Sequence, residues 1–320
     1  MKAVRKKDCC LVLEGGGVKC AYQYGVLKTL VKVFGSVEEA LFALTGGEIR
    51  GVAGSSFGAV NSAMLLAGGM DKLEEFWETL SAEKIFHEPR LQRIMEKIYA
   101  RQKVFDLSTA LFALSSGLDP LATQRKISKL YFDFLIGNID EKAVRSSGLE
   151  LGITTVELAD FEIRSDKIQQ MLPFDIDEND VSLIPNYTKL ARKRLLELFL
   201  KDIDKGMLPE YVAASAAFPA FRPLKVGAKF YTDGGILDNI PVSMMEKRGF
   251  RKALVIRTGT GEPKKRWTDD INVRFITPSR ELGAAAIFSV KNIQETIALG
   301  EYDAEEAIKA SDKLLPGGTK

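Results

Sequence analysis

A chain of 320 residues, 46% of them apolar, can bury the core of one elaborated domain or two small ones, which excludes a disordered chain. Its 45 basic and 43 acidic residues give no overall field that would favour nucleic acid as a partner. The three cysteines, Cys9, Cys10 and Cys20, are odd in number and include adjacent members, so they do not resemble a disulfide framework. Reduced thiols of this kind indicate a cytoplasmic location.

The amino end carries basic residues, but the apolar run after them is only about five residues long, too short for a signal peptide. No uncharged apolar stretch approaches the roughly 20 residues that a transmembrane helix needs. We therefore expect a protein that is soluble as encoded. Peripheral contact with membranes stays open, and so does export by a route without a cleaved signal.

Two strand–turn–helix units follow one another at the start of the chain. Residues 9–13 are typical of a buried strand, and residues 18–34 have apolar side chains at helical spacing. Residues 49–53 predict a second short strand, and residues 59–67 predict a helix that ends at two glycines. This alternation predicts an α/β fold.

The rest of the chain contains a helical part and a return to strands. Residues from about 71 to 145 are mostly helical in pattern and indicate an insertion over the sheet, in a position that suits a lid. Strand patterns then return at 150–155, 161–164, 229–232, 253–257 and 273–276. Residues 190–203 predict an amphipathic helix, either packed on the core or lying at a membrane surface. Without a long linker, we treat 1–320 as a single domain.

A candidate nucleophile lies at the turn of the second unit. Gly54, Ser56 and Gly58 fit G-x-S-x-G, a pattern that turns the chain sharply from strand to helix and leaves the serine hydroxyl exposed. In a glycine-rich chain the pattern alone is weak evidence of a nucleophile. Its position between a predicted strand and a predicted helix is what supports this interpretation. Ser56 is therefore the candidate nucleophile, and Gly54 and Gly58 form its elbow.

A glycine cluster lies at the turn of the first unit. The backbone amides of Gly15, Gly16 and Gly17 could bind an anion, either an oxyanion or a nucleotide phosphate. The segment lacks the last glycine of G-x-G-x-x-G, and the chain has no Gly-Lys-Ser/Thr, which disfavours a nucleotide. The cysteines and the one histidine do not form a zinc spacing, so no metal or other cofactor is expected.

The hydroxyl of Ser56 needs a base, and the chain has a single histidine. His87 lies only 31 positions after Ser56, in the helical part, whereas an α/β-hydrolase has its histidine late in the chain. A carboxylate is the better candidate. Asp233 ends a predicted strand and precedes two glycines; it is either the base, if burial raises its basicity, or part of an Asp-Gly turn.

These residues together resemble the patatin-like phospholipases, a family of serine acyl hydrolases with a Ser–Asp dyad. The family's ordered blocks have counterparts at residues 14–20, 54–59, 214–221, 233–235 and 238–241. The resemblance implies a three-layer α/β/α fold with a mainly parallel central sheet. It also implies that a Ser56–Asp233 dyad hydrolyses phospholipids or other fatty acyl esters, as a phospholipase A or lysophospholipase does. Gly15, Gly16, Gly17 and Val18 would then form the oxyanion hole.

Two positions depart from the family pattern. Glu14 stands where Asp is common, which keeps the charge, and Cys20 stands where Gly is common, which adds bulk near the helix start. Lys19 either adds positive field at the site or is a solvated lysine. The substitution at Cys20 supports the alternative function, a catalytically silent protein of the same fold that binds lipid or a partner.

Overall fold

A computed structural model describes residues 7–87, 120–159, 191–219, 221–283 and 285–312. Its centre is one sheet. The strands within the described residues are β1 (Lys7–Leu13), β2 (Ile49–Ser55), β3 (Glu150–Ala159), β4 (Arg192–Phe199), β5 (Leu224–Val226), β6 (Lys229–Asp233), β7 (Phe250–Ile256) and β8 (Asn272–Ile276). They lie in the order β5-β6-β3-β2-β1-β7-β8, with β4 also paired to β3. The pairs between β3 and β8 along this order are parallel, and β4, β5 and β6 add antiparallel pairs.

Helices cover both faces of the sheet. In chain order they are α1 (Ala21–Phe34), α2 (Val37–Thr45), α3 (Phe57–Thr79), α4 (Ala82–Phe86), α5 (Pro120–Gly137), α6 (Glu141–Ser146), α7 (Leu208–Ser215), α8 (Val242–Lys247) and α9 (Val290–Asp312). Leu11 and Leu13 of β1 join one core with α1 and α3, while Cys10 and Val12 join a second core with α8. Burial on both faces of the sheet explains why residues 9–13 of β1 form an unbroken apolar run.

The position of β3 brings distant parts of the chain together. β4 pairs with residues 152–159 of β3 along one edge. The other edge is shared: β2 runs parallel to residues 150–154, and β6 runs antiparallel to residues 155–157. β2 therefore ends opposite Thr154 and β6 ends opposite Thr155. The carboxyl ends of β2 and β6 meet at two consecutive residues of one strand.

The predicted α/β fold, with a mainly parallel sheet between helices, is confirmed. The glycines predicted to end the second helix, Gly68 and Gly69, have non-helical backbone angles and break α3 into two parts. The predicted strand at 161–164 lies outside the described residues. The helical insertion at about 71–145, much of which is also outside them, and the single domain at 1–320 stay predictions.

The predicted amphipathic helix at residues 190–203 is wrong. Residues Arg192–Phe199 form β4, followed by one turn of 3-10 helix at Leu200–Asp202. The cause is tertiary: eight residues of β4 pair with β3, and such a ladder overrides a local helical pattern because strand preference depends mostly on neighbours. Nor does any helix within the described ranges have the length and apolar character to cross a membrane.

Candidate active site

Ser56 lies at the tip of a sharp turn between β2 and α3. Its φ of 54° and ψ of −133° put a residue other than glycine in a strained backbone conformation, which is typical of functional turns. The turn needs close backbone contacts. A Cβ on Gly58 would lie 2.2 Å from the Leu13 carbonyl oxygen, and a Cβ on Gly54 would lie 2.2 Å from the Gly58 carbonyl. Steric constraints therefore require glycine at both positions of the elbow.

The structure brings Ser56 and Asp233 into contact, although 177 positions separate them in the chain. The Ser56 Oγ donates a hydrogen bond of 2.6 Å to Asp233 Oδ2. Asp233 is the last residue of β6, and its other carboxylate oxygen accepts from the Gly235 amide at 2.7 Å. Both side chains are buried, with 6% of Ser56 and 5% of Asp233 exposed.

Burial changes the acidity of Asp233. Loss of water around the carboxylate raises the pKa of Asp233 from 3.8 to about 6, and the hydrogen bonds from Ser56 and Gly235 oppose part of this rise. A carboxylate with a raised pKa accepts a proton more readily than an exposed one, yet it is still ionised at pH 7. Asp233 thus has the contact and the basicity that a base for Ser56 needs.

The glycine turn after β1 lies at the same cavity as Ser56, but its four candidate amides differ. The Gly15 amide donates to the Asn239 carbonyl at 3.1 Å, and the Val18 amide donates to the Ala285 carbonyl at 2.8 Å. Within the described part of the chain, the amides of Gly16 and Gly17 have no acceptor. Only these two are free to bind an oxyanion.

Gly17 cannot be replaced without strain. Its φ is +56°, in the left-handed region that favours glycine, and a Cβ there would lie 2.2 Å from the Ala285 carbonyl oxygen. The same carbonyl accepts from the Val18 amide, so Ala285 holds the turn in place. Asn239 binds both polar groups of Gly15: its carbonyl accepts from the Gly15 amide, and its Nδ2 donates to the Gly15 carbonyl at 3.0 Å.

Glu14 fixes the start of this turn. Its carboxylate accepts from the Thr258 amide at 2.7 Å and the Gly259 amide at 3.2 Å, and it lies 3.3 Å from Arg257 Nε. The Glu14 carbonyl accepts from Gln23 Nε2 at 2.6 Å. Glutamate in place of the family's common aspartate thus has a structural role, which ties the end of β1 to the end of β7.

The region of Cys20 is packed by a buried polar network. Cys20 is fully buried, and its Sγ contacts the Glu14 carbonyl at 3.4 Å. Asn61 Nδ2 donates to the Cys20 carbonyl at 3.0 Å and to Gln23 Oε1 at 2.9 Å, while Trp77 Nε1 donates to Asn61 Oδ1 at 2.9 Å. Side chains of α1 and α3 therefore hold both ends of the glycine turn. Cys20 does not line the cavity at Ser56.

A cavity of about 330 Å³ opens between Ser56, Asp233 and the glycine turn. Most of its other lining is apolar and aromatic: Phe57, Tyr131, Phe218, Phe221, Ile236 and Phe288. Phe218 and Ile236 are 42% and 36% exposed, unlike the inner aromatic side chains. No local sequence pattern predicts this cavity, because its walls come from segments far apart in the chain.

Two residues considered from the sequence lie away from this chemistry. His87 is an exposed residue at the end of α4 and does not line the cavity. Lys19 is half-buried in the 3-10 turn at Gly17–Cys20 and does not line the cavity either. Among the described residues there is no group of three histidine, cysteine, aspartate or glutamate side chains that could hold a metal ion.

The arrangement has the parts that acyl transfer needs. A hydroxyl bonded to a basic carboxylate can attack a carbonyl, two free amides can accept the charge that develops on its oxygen, and an apolar cavity can hold the acyl group. A family model described as patatin-like phospholipase matches residues 11–245 of the chain. In a separate comparison, none of the curated proteins matched the chain.

Several solved structures have a similar fold. VipD from Legionella pneumophila has 11% identity and a TM-score of 0.44, and the match covers 96% of this chain and 67% of VipD. The type III effector protein ExoU has 12% identity and a TM-score of 0.36, with 96% of this chain and 53% of ExoU covered. Full-length ExoU from Pseudomonas aeruginosa, in complex with SpcU, has 14% identity and a TM-score of 0.38, with 98% and 53% covered. The chain thus spans about two thirds of VipD and about half of ExoU.

Proposed function

The chain belongs to the patatin-like phospholipase family, and from this premise we propose that it is a serine acyl hydrolase that cleaves fatty acyl esters of lipids. Membership in the family supports lipid acyl hydrolase activity. The observation that carries the specific proposal is the 2.6 Å hydrogen bond from Ser56 Oγ to Asp233 Oδ2 at the edge of an apolar cavity.

In the proposed mechanism, Asp233 takes the proton from Ser56 as Oγ attacks the ester carbonyl. The amides of Gly16 and Gly17 then bind the oxyanion, and each such donor contributes roughly 3 kcal/mol to the transition state. Collapse of the tetrahedral intermediate releases the alcohol, to which Asp233 returns the proton, and leaves an acyl group on Ser56. Water, activated by Asp233 in the same way, releases the fatty acid.

The proposed oxyanion hole consists of two residues, Gly16 and Gly17, rather than the four predicted from the sequence. Gly15 and Val18 donate their amides to carbonyls of Asn239 and Ala285, so we assign them to the support of the turn. Gly16 and Gly17 keep their amides for the substrate. No step requires a metal ion or another cofactor.

The lining of the cavity supports a fatty acyl chain as the part of the substrate that enters. Tyr131, Phe221 and Phe288 form its inner wall, and the rings of Tyr131 and Phe221 stack at 3.9 Å between centroids. Phe218 and Ile236 are exposed where the cavity opens. Apolar side chains at the mouth suit peripheral contact with a lipid surface, from which a phospholipid or other acyl ester would enter. We place the activity in the cytoplasm.

Covalent labelling tests the proposal most directly. A fluorophosphonate probe should label the purified protein at Ser56, and the protein should hydrolyse a p-nitrophenyl fatty acyl ester or a phospholipid. Ser56→Ala should lose both labelling and hydrolysis. Ser62→Ala, which changes a buried serine inside α3, is the matched control and should keep them.

The results separate the proposal from its alternatives. A folded protein that is neither labelled nor active would be the catalytically silent binding protein. His87→Ala should retain activity; a loss as large as that of Ser56→Ala would replace the carboxylate mechanism with a histidine mechanism.

A further inference from the structure

The hydroxyl of Ser215 joins the Ser56 turn to the sheet. Ser215 is the last residue of α7 and is fully buried. Its Oγ accepts a hydrogen bond of 2.9 Å from the Ser56 amide and donates one of 2.6 Å to the Thr154 carbonyl. Thr154 is the residue of β3 opposite which β2 ends. The hydroxyl thus bridges the backbone of Ser56 to β3 just where the β2–β3 ladder stops.

The backbone of Ser56 needs such a contact. A residue other than glycine with φ of 54° is strained, and it keeps this conformation only when surrounding contacts hold it. The Ser56 amide is also in a buried site, where a donor without an acceptor is unfavourable. Ser215 provides that acceptor through its hydroxyl, whereas the Ser56 hydroxyl donates to Asp233.

The residues just after Ser215 hold the other member of the proposed dyad. The Ala217 carbonyl accepts from the Asp233 amide at 3.0 Å and from Thr232 Oγ1 at 2.9 Å. The carbonyl of Ala216, which lies between Ser215 and Ala217 in the chain, accepts from the Tyr131 hydroxyl at 2.8 Å. Residues 215–217 therefore fix the backbone of both Ser56 and Asp233 from one short segment.

We propose that Ser215 is a positioning residue that sets the Ser56 backbone so that its Oγ faces Asp233. This inference rests on the proposed acyl hydrolase function for its kinetic consequence. Its geometric part, that Ser215 restrains the Ser56 amide, does not depend on whether the protein hydrolyses esters.

The test compares Ser215→Ala with Ser215→Thr, which keeps the hydroxyl. For Ser215→Ala we expect kcat to fall at least about 10-fold, which corresponds to about 1.4 kcal/mol at 25 °C, with KM little changed. Fluorophosphonate labelling of Ser56 should slow by a similar factor. Hydrogen exchange of the Ser56 amide, measured by NMR or in a peptide that spans it, should accelerate. Ser215→Thr should restore the rate and the protection.

A control separates positioning from general stability. Ser62 is also fully buried and donates to a backbone carbonyl, that of Gly58 at 2.7 Å, so Ser62→Ala loses a similar bond without touching the Ser56 amide. Its kcat should stay near that of the wild type. If Ser215→Ala does not fold, Ser215→Cys takes its place, because a thiol fills the site but accepts hydrogen bonds weakly.

Each outcome has a defined meaning. Wild-type kcat and unchanged Ser56 exchange in Ser215→Ala would overturn the inference, and so would equal loss of activity in Ser215→Ala and Ser62→Ala. If the wild type itself is neither labelled nor active, the proposed function fails. Faster Ser56 exchange in Ser215→Ala would then still support the restraint by Ser215.

Discussion

Replacing Asp233 by asparagine should abolish hydrolysis and at the same time stabilise the fold at neutral pH. Burial raises the pKa of Asp233 from 3.8 to about 6, so at pH 8 the folded protein carries a carboxylate in a site that favours the neutral acid. This rise in the pKa corresponds to a contribution of about 3 kcal/mol to the free energy of unfolding. The contribution is fully present below pH 3.8 and is lost as the pH rises through about 6. Asparagine has nearly the same shape and stays neutral at every pH.

The assay is urea unfolding of both proteins at several pH values between 4 and 8. The free energy of unfolding of Asp233→Asn, relative to the wild type, should increase with pH by up to about 3 kcal/mol. Ser56→Ala is the matched control: it is inactive but keeps the carboxylate, and it loses a hydrogen bond that lowers the pKa of Asp233. Its stability should fall with pH at least as steeply as that of the wild type.

Two results would refute this reasoning. A difference in stability between Asp233→Asn and the wild type that does not change with pH would mean that the buried carboxylate is not the source of the effect. Hydrolysis retained by Asp233→Asn would remove this residue as the base for Ser56.

Three further predictions concern the pH profile, the glycine turn and the mouth of the cavity. Because the base must be ionised, kcat/KM should be flat above about pH 7 and fall about tenfold per pH unit well below 6; a profile flat to pH 4.5 would contradict a role for Asp233. Gly17→Ala should lower kcat by about 100-fold or more, because its Cβ would meet the Ala285 carbonyl and displace the turn that holds the two amides. Gly35→Ala, also at positive φ but in open space, should keep the wild-type kcat, and a wild-type kcat in Gly17→Ala would contradict the need for this turn geometry. Phe218→Asp should lower the rate on phospholipid vesicles more than the rate on a soluble ester. Phe42→Asp, which changes an exposed phenylalanine away from the cavity, should not lower the rate on vesicles selectively. Equal effects of Phe218→Asp on both substrates would count against contact between the mouth of the cavity and lipid.

The parts of the site that could be predicted are those whose geometry depends on a few residues that are neighbours in the chain. Gly54, Ser56 and Gly58 form a turn that only that local pattern allows, and the close contacts at both glycines show why. The position of Asp233 at the end of a predicted strand indicates it as a candidate base, and the unsuitable position of His87 favours a carboxylate. Contact between the two side chains could not be derived from their spacing.

The parts that could not be predicted depend on contacts between distant segments. Residues 192–199 have a helical pattern, but the free edge of β3 determines their structure. The amides of Gly15 and Val18 looked equivalent to those of Gly16 and Gly17, until carbonyls from Asn239 and Ala285 distinguished them. These partners lie more than 200 positions away, and no local pattern indicates them.

The meeting of β2 and β6 on one edge of β3 makes the site dependent on late events in synthesis and folding. Ser56 and its helix come from the first quarter of the chain, yet its proposed base enters only when β6 pairs beside Thr155. An unfinished chain that ends before β6 has the nucleophile without the base. A slip of β6 by one residue would turn the Asp233 side chain to the opposite face of the sheet. If the proposed esterase activity appears during refolding, its onset should therefore require the correct register of the three residue pairs between β3 and β6.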